Sequence, residues 1–217
     1  MQLFLDCASL EEIKKAKETG LISGLTTNPA LLSKTASVSV DLLKGLTASV
    51  DGPVSIQVLS QNADEMVLQG QQFADLAENV VVKVPMAAEG LKAAKALHAK
   101  KIATNVTLCF SPAQALLAAE AGATFVSPFM GRLDDAGESG AQLIEDIRTL
   151  YDIQGFETQI LAASIRGPQH VEAAAIAGAE AATMSPKVFW QLFESPHTQK
   201  GLDDITPLYG DLQKKLL

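Results

Sequence analysis

Long apolar runs are missing: no uninterrupted stretch approaches the roughly 18–20 residues that a membrane span needs. That argues against a membrane-spanning protein. The first residues are no better suited to secretion, because Leu3-Phe4-Leu5 is short, follows no basic residue and meets Asp6 at once. Basic charge is scarce and scattered. With 17 Lys and Arg against 25 Asp and Glu the net charge is −8, and no basic cluster interrupts it, which argues against nucleic acid as a partner. A small phosphorylated metabolite stays compatible, since one or two local arginines suffice to hold it. Cysteine is nearly absent. Cys7 and Cys109 make neither a disulfide framework nor a metal spacing, and the expectation is free thiols in a reducing cytoplasm. The three histidines, His98, His170 and His197, share no i, i+4 spacing and receive no role. GxGxxG, Walker and HExxH motifs are all missing, as are low-complexity segments and short-period repeats.

Against these absences stands one unusual stretch, Asn79-Val80-Val81-Val82-Lys83-Val84-Pro85. An apolar run of this length, rich in β-branched residues, suits a parallel strand buried on both faces. Burying an ammonium among valines costs several kcal/mol, so such a lysine sheds its proton readily and becomes a nucleophile towards carbonyls. The alternative is that the stem packs while the head reaches solvent. This stretch alone leaves both open.

In chain order, short strands alternate with helical segments. Strands are expected at Gln2–Asp6, Gly24–Thr27, Val54–Leu59, around Lys83, at Ile102–Val106, Thr124–Ser127, Thr158–Ala162 and Ala181–Thr183. Helices open on Ser9 with Glu12, near Val38, on Asn62 with Glu65, near Ala88, and on Ser111-Pro112, Gly167-Pro168 and Ser185-Pro186. Asn28-Pro29 reads as a turn, Arg132–Gly140 as a polar loop, and the tail from Pro196 as helical with a break at Pro207. Eight strand–helix units in 217 residues favour one closed (β/α)8 barrel over an open doubly wound sheet. The expected organisation is a single domain over 1–217, with 196–217 as a C-terminal helical tail. In such a barrel chemistry gathers where strands end, and polar residues occur there in every predicted strand but the eighth: Asp6, Thr26-Thr27-Asn28, Gln57, Lys83, Asn105 with Thr107, Ser127, Arg132, and Ser164 with Arg166.

These motifs, Asp6, Thr26-Thr27-Asn28-Pro29, Val82-Lys83-Val84-Pro85, Thr104-Asn105-Val106-Thr107, Ser127-Pro128-Phe129-Met130-Gly131-Arg132 and Ala163-Ser164-Ile165-Arg166, resemble the transaldolase family, in its short branch that also holds the fructose-6-phosphate aldolases. They run in order through essentially the whole chain. The resemblance implies a class I reaction without metal or organic cofactor, on sugar phosphates, in which Lys83 forms a Schiff base with a ketose phosphate. By the same resemblance Asp6 serves proton transfer, Thr107 and Gln57 flank a catalytic water, and Thr26, Asn28, Asn105, Ser127, Phe129 and Ser164 belong to the substrate site. Arg132 and Arg166 match a phosphate clamp, suited to it by their guanidinium forks. It further implies a homo-oligomer, with ring-based decamers known among short members and the C-terminal helix on a neighbouring subunit.

Two reactions stay distinguishable: transfer of a dihydroxyacetone unit to an aldose phosphate, or its release as free dihydroxyacetone. Gln57 matches the aldolases, where transaldolases usually carry glutamate, whereas Phe129, Asn105 and Ser127 match the transaldolase pattern. A sugar-phosphate isomerase or a non-catalytic phosphate-binding barrel would suit the fold but not require a buried lysine. Cys7, Cys109 and the Phe189, Trp190 and Phe193 group are expected to serve packing or subunit contact.

Overall fold

The computed structural model describes residues 1–35 and 38–216. Eight parallel strands close into a barrel in sequence order, β1 pairing with β8. They are β1 (Gln2–Asp6), β2 (Ile22–Thr26), β3 (Val54–Gln57), β4 (Val80–Pro85), β5 (Thr104–Cys109), β6 (Phe125–Pro128), β7 (Gln159–Ala162) and β8 (Ala181–Met184). Between and after them run α1 (Leu10–Lys17), α2 (Pro29–Leu32), α3 (Val40–Ser49), α4 (Ala63–Ala74), α5 (Ala88–Ala99), α6 (Pro112–Glu120), α7 (Met130–Asp135), α8 (Gly140–Gln154), α9 (Pro168–Ile176), α10 (Pro186–Gln191) and α11 (Pro196–Leu216). No helix among the described residues is long and apolar enough to cross a membrane.

The helix starts follow local chemistry. Ser9, Asn28, Ser39, Asn62, Ser111, Ser139 and Ser185 each accept a first-turn backbone N–H, and prolines stand in the first turns of α2, α6, α9 and α10. Three expectations are corrected. Asn28-Pro29 opens a short helix rather than a bare turn, because the Asn28 side chain accepts the Leu31 N–H at 2.9 Å. The polar Arg132–Gly140 loop contains α7, whose Met130 and Leu133 are buried one helical turn apart and hold it in the core beside α8 despite its charged sequence. Pro207 lies inside α11 rather than breaking it. A proline there removes only one helical hydrogen bond, and the neighbouring residues are exposed, so water can satisfy the Asp203 carbonyl left without a donor.

Strand alternation sorts the core. Leu5, Leu25, Val54, Ile56, Val80, Val82, Val84, Val106, Val126, Ile160, Ala162 and Met184 join the shell between barrel and helices. Phe4, Val81, Phe125, Leu161 and Ala181 form a separate cluster that fills the barrel's lower interior, with the Phe4 and Phe125 rings edge-on at 6.1 Å. Lys83 has the parity of Val81 and so enters the interior one layer above that plug. Phe4→Ala should therefore lower the unfolding free energy by about 3–5 kcal/mol. Urea denaturation would show this as a lower midpoint at unchanged slope.

Candidate active site

Above the apolar plug the interior turns polar. Pairing of β3, β4 and β5 sets Lys83 between Gln57 and Asn105 in one row across the sheet. Lys83 is only 5% exposed, and its Nζ donates to the Thr27 carbonyl at 3.1 Å, so the head does not escape to solvent. Burial pushes its pKa below the ordinary lysine value, and the negative charge of Asp6 partly opposes that. Asp6, at the end of β1, moves the other way: burial raises its pKa, while Lys83 and hydrogen bonds from Thr26 and Asn28 lower it. The proton affinities of amine and carboxyl are thus drawn towards one another, which suits proton transfer at this site.

Asp6 is held from several sides. Thr26 Oγ1 donates to its Oδ1 at 2.8 Å, and Asn28 Nδ2 lies 3.3–3.4 Å from both oxygens. The Thr26 hydroxyl also meets Thr183 Oγ1 at 2.7 Å. A hydroxyl has one proton to give, so while Asp6 is ionised Thr183 must be the donor to Thr26. A proton on Asp6 can reverse the direction of this chain. Thr183, on the eighth strand, corrects the expectation that this strand contributes nothing. It faces the cleft with the same parity as Ala181, and that alternation was the available signal. Ser55 was missed likewise, two residues before Gln57 on the same strand face. Its Oγ accepts from Asn105 Nδ2 at 3.1 Å, and Asn105 Oδ1 accepts from Ser127 Oγ at 2.8 Å.

The cleft above this layer has a volume of about 530 Å³ and is lined by Asp6, Asn28, Gln57, Lys83, Thr107, Leu108, Phe129, Arg132, Ser164, Arg166 and Thr183 with Pro29, Ala30 and Ala163. Of the residues singled out in the sequence, Thr26, Asn105 and Ser127 lie beneath its floor, buried and bonded to one another or to Asp6, Ser55 and Thr183. Thr27 is buried too, its hydroxyl donating to the Ser55 carbonyl at 2.9 Å, and the others share the cleft. Thr107 Oγ1 is buried without a protein partner, facing a cleft in which a polar group could meet it. Two cleft residues have left-handed backbones: Leu108 (φ 65°), where the β5–β6 register shifts, and Ser164 (φ 60°) after β7. Such conformations cost about 1–3 kcal/mol each and persist where the surroundings impose them.

Arg132 and Arg166 give the cleft mouth a positive rim in an acidic protein. The Arg132 guanidinium lies 5.0 Å from the centre of the Phe129 ring, a cation–π contact, and Arg166 Nη2 bonds Asp135 Oδ2 at 2.5 Å. No group of three His, Cys, Asp or Glu side chains among the described residues is placed to hold a metal ion. Cys7 and Cys109 are both free and buried, and burial pushes the Cys109 thiol up to about 11, which makes it inert. Phe189 is buried and packs edge-on against Trp190 and Phe193, whose rings remain partly exposed.

A lysine amine buried at the centre of a barrel, a carboxyl beside it and two arginines at the rim are arranged to attack a carbonyl, move protons at neighbouring hydroxyls and hold an anion. The family model described as transaldolase/fructose-6-phosphate aldolase matches residues 3–216. The chain is 52% identical over 203 residues to a protein named probable transaldolase from Aquifex aeolicus (strain VF5), covering 94% of each. It is 50% identical over 217 residues to the probable transaldolase of Caulobacter vibrioides (strain NA1000 / CB15N), covering 100% of each. Among solved structures, a mandelate oxidase mutant superimposes with a TM-score of 0.58 over 86% of this chain and 64% of its own. At 13% identity that likeness concerns the barrel alone.

The electrostatics make a signed prediction. Removing the Asp6 charge removes what favours the Lys83 ammonium, so in Asp6→Asn the lysine should be neutral down to a lower pH. Reductive methylation of Lys83 followed against pH should reach half-maximal rate at lower pH than in the wild type; a move to higher pH would contradict the argument.

Proposed function

The chain belongs to the transaldolase/fructose-6-phosphate aldolase family, and on that premise we propose that it is a transaldolase working through a Schiff base on Lys83. It moves a dihydroxyacetone unit from a ketose phosphate (fructose 6-phosphate or sedoheptulose 7-phosphate) to an aldose phosphate (erythrose 4-phosphate or glyceraldehyde 3-phosphate). The observation that carries this reading is the buried Lys83 amine, with its lowered pKa, facing the cleft opposite Asp6.

The neutral Lys83 amine adds to the C2 carbonyl; protonated Asp6 gives its proton to the resulting carbinolamine hydroxyl, which leaves as water, so that a protonated imine and an ionised Asp6 remain. Asp6 takes the proton of the C4 hydroxyl, the C3–C4 bond breaks, and its electron pair flows to the imine nitrogen. The aldehyde phosphate leaves, and a dihydroxyacetone enamine stays on Lys83. Its nucleophilic carbon then attacks the acceptor aldehyde, Asp6 returns the proton to the new hydroxyl, and water attacks the protonated imine to release the product ketose and the neutral Lys83 amine, with Asp6 taking up the proton set free. Gln57 and Thr107 position that water; Gln57 is an amide and does not itself titrate. Asn28, Ser164 and Phe129 border the substrate. Thr26, Asn105 and Ser127 act from the floor, Thr26 by hydrogen bonding Asp6 and the other two through their mutual bond beside Lys83. Arg132 and Arg166 bind the phosphate.

Phe129 and Gln57 bear most directly on the competing aldolase reading, beside Asn105 and Ser127, which match the transaldolase pattern. Phe129 carries no hydroxyl to help water discharge the enamine, which favours transfer. Gln57 beside the cleft is the one feature that favours release of free dihydroxyacetone. The reading extends to a homo-oligomer, up to a decamer, in the cytoplasm: α11 exposes Leu202, Ile205, Leu208 and Tyr209, a surface suited to a neighbouring subunit, and the free thiols suit a reducing compartment.

Glyceraldehyde 3-phosphate release from fructose 6-phosphate should depend on erythrose 4-phosphate, with sedoheptulose 7-phosphate appearing in step. Steady release without an acceptor, with free dihydroxyacetone, would assign the aldolase reaction instead. Borohydride in the presence of fructose 6-phosphate should trap an adduct on Lys83, and Lys83→Met should abolish both adduct and turnover while the far-UV spectrum stays native. Full activity of that variant would refute the Schiff base. Arg166→Ala should raise KM for fructose 6-phosphate by about 10- to 100-fold and leave half-saturation by free dihydroxyacetone little changed; equal effects on both would remove the arginine from the phosphate site.

A further inference from the structure

Arg166 is an exposed arginine on a loop, and an unsupported side chain of that kind loses much rotamer freedom when it binds an anion. Here the loop is tied at several points to α7. Met130 N–H donates to the Ala163 carbonyl and Gly131 N–H to the Ser164 carbonyl, both at 3.1 Å. A Cβ at position 131 would stand 2.2 Å from the Ser164 oxygen and 2.8 Å from Arg166 Cγ, so only glycine admits this approach. Asp135 Oδ2 takes the guanidinium through Nη2.

The remaining tie passes through His170, in the first turn of α9. Its Nδ1 accepts the Arg166 backbone N–H at 3.2 Å, and its Nε2 lies 3.1 Å from Asp134 Oδ2. The other oxygen of Asp134 accepts the Gly140 N–H at 2.9 Å, which anchors that carboxylate at the start of α8. An imidazole nitrogen that accepts a backbone N–H carries no proton, so the proton sits on Nε2 and is donated to Asp134. One neutral tautomer satisfies both partners; the imidazolium would set two N–H groups against each other at Arg166.

We propose that His170 is a positioning residue for the phosphate site: as the Nε2–H tautomer held by Asp134, it fixes the Arg166 backbone, and with it the guanidinium, for the substrate phosphate. This rests on the reading of Arg166 as part of the phosphate clamp. His170 touches neither the reacting carbons nor Lys83, so its effect falls on phosphate binding and not on Schiff-base chemistry. An asparagine at 170 keeps an acceptor near the position of Nδ1, while alanine has none.

The test compares His170→Ala and His170→Asn with the wild-type enzyme, using inorganic phosphate as a competitive inhibitor, fructose 6-phosphate as substrate, and borohydride trapping with dihydroxyacetone as the phosphate-free control. His170→Ala should raise both KM and the phosphate inhibition constant by about five- to tenfold, with kcat within about threefold of wild type. Dihydroxyacetone trapping should keep its wild-type half-saturation, and His170→Asn should recover most of the phosphate affinity. A wild type that traps an adduct and is inhibited by phosphate, beside a His170→Ala variant with unchanged KM and inhibition constant, overturns this inference alone. Equal losses with dihydroxyacetone and fructose 6-phosphate also overturn it, because they would signal general damage to the site. Should His170→Ala not fold, a His170→Asn variant with phosphate affinity as poor as that of Arg166→Ala would count against the acceptor role. A wild type that traps no adduct overturns the proposed function and this inference with it.

Discussion

A primary amine held 5% exposed inside a ring of eight parallel strands is costly to charge, and much of the site follows from that cost. Lys83 enters the interior because it shares parity with Val81, above a plug of Phe4, Val81, Phe125, Leu161 and Ala181 that keeps water out from below. On its other side it faces the cleft. The amine therefore loses proton affinity and keeps a path to a carbonyl, the two properties a Schiff-base lysine requires.

The same burial governs Asp6. Burial raises its proton affinity, and the neighbouring positive charge, Thr26 and Asn28 offset this in part. The hydroxyl chain from Thr183 through Thr26 adds a feature that no single residue could supply: its direction depends on whether Asp6 is ionised. Asn105, clasped between Ser55 and Ser127, keeps the row beside Lys83 rigid, since each polar group of that network has a partner within the barrel.

Division of labour along the barrel axis explains how an acidic protein can accommodate a phosphorylated substrate. In the proposed reaction, charge develops in the buried layer around Lys83 and Asp6. The proposed anion recognition belongs to the rim, where Arg132 lies against Phe129 and Arg166 is tied to α7. The rim can be solvent-exposed because guanidinium groups need not change protonation to bind phosphate. The strained Ser164 backbone marks where the β7 strand gives way to this rim.

Strand and helix alternation, the turn and cap residues and the parity of the apolar positions were legible in the chain, because each depends on neighbours two to four residues away. So were Lys83, Asp6 and the two arginines, which stand where strands end. Ser55 and Thr183 share that parity signal but carry no motif, and their importance comes from partners on other strands. The helix α7 was hidden by its charged sequence, as its two anchors only acquire meaning within the core. His170 had no readable role, since the Asp134 carboxylate that selects its tautomer arrives from another element. What the sequence by itself determined is the fold class, the family resemblance and a lysine set within an apolar strand. Only the tertiary structure decided which hydroxyls orient Asp6, which residues sink to the floor and how Arg166 is held, because those depend on distances between strands and loops remote in the chain.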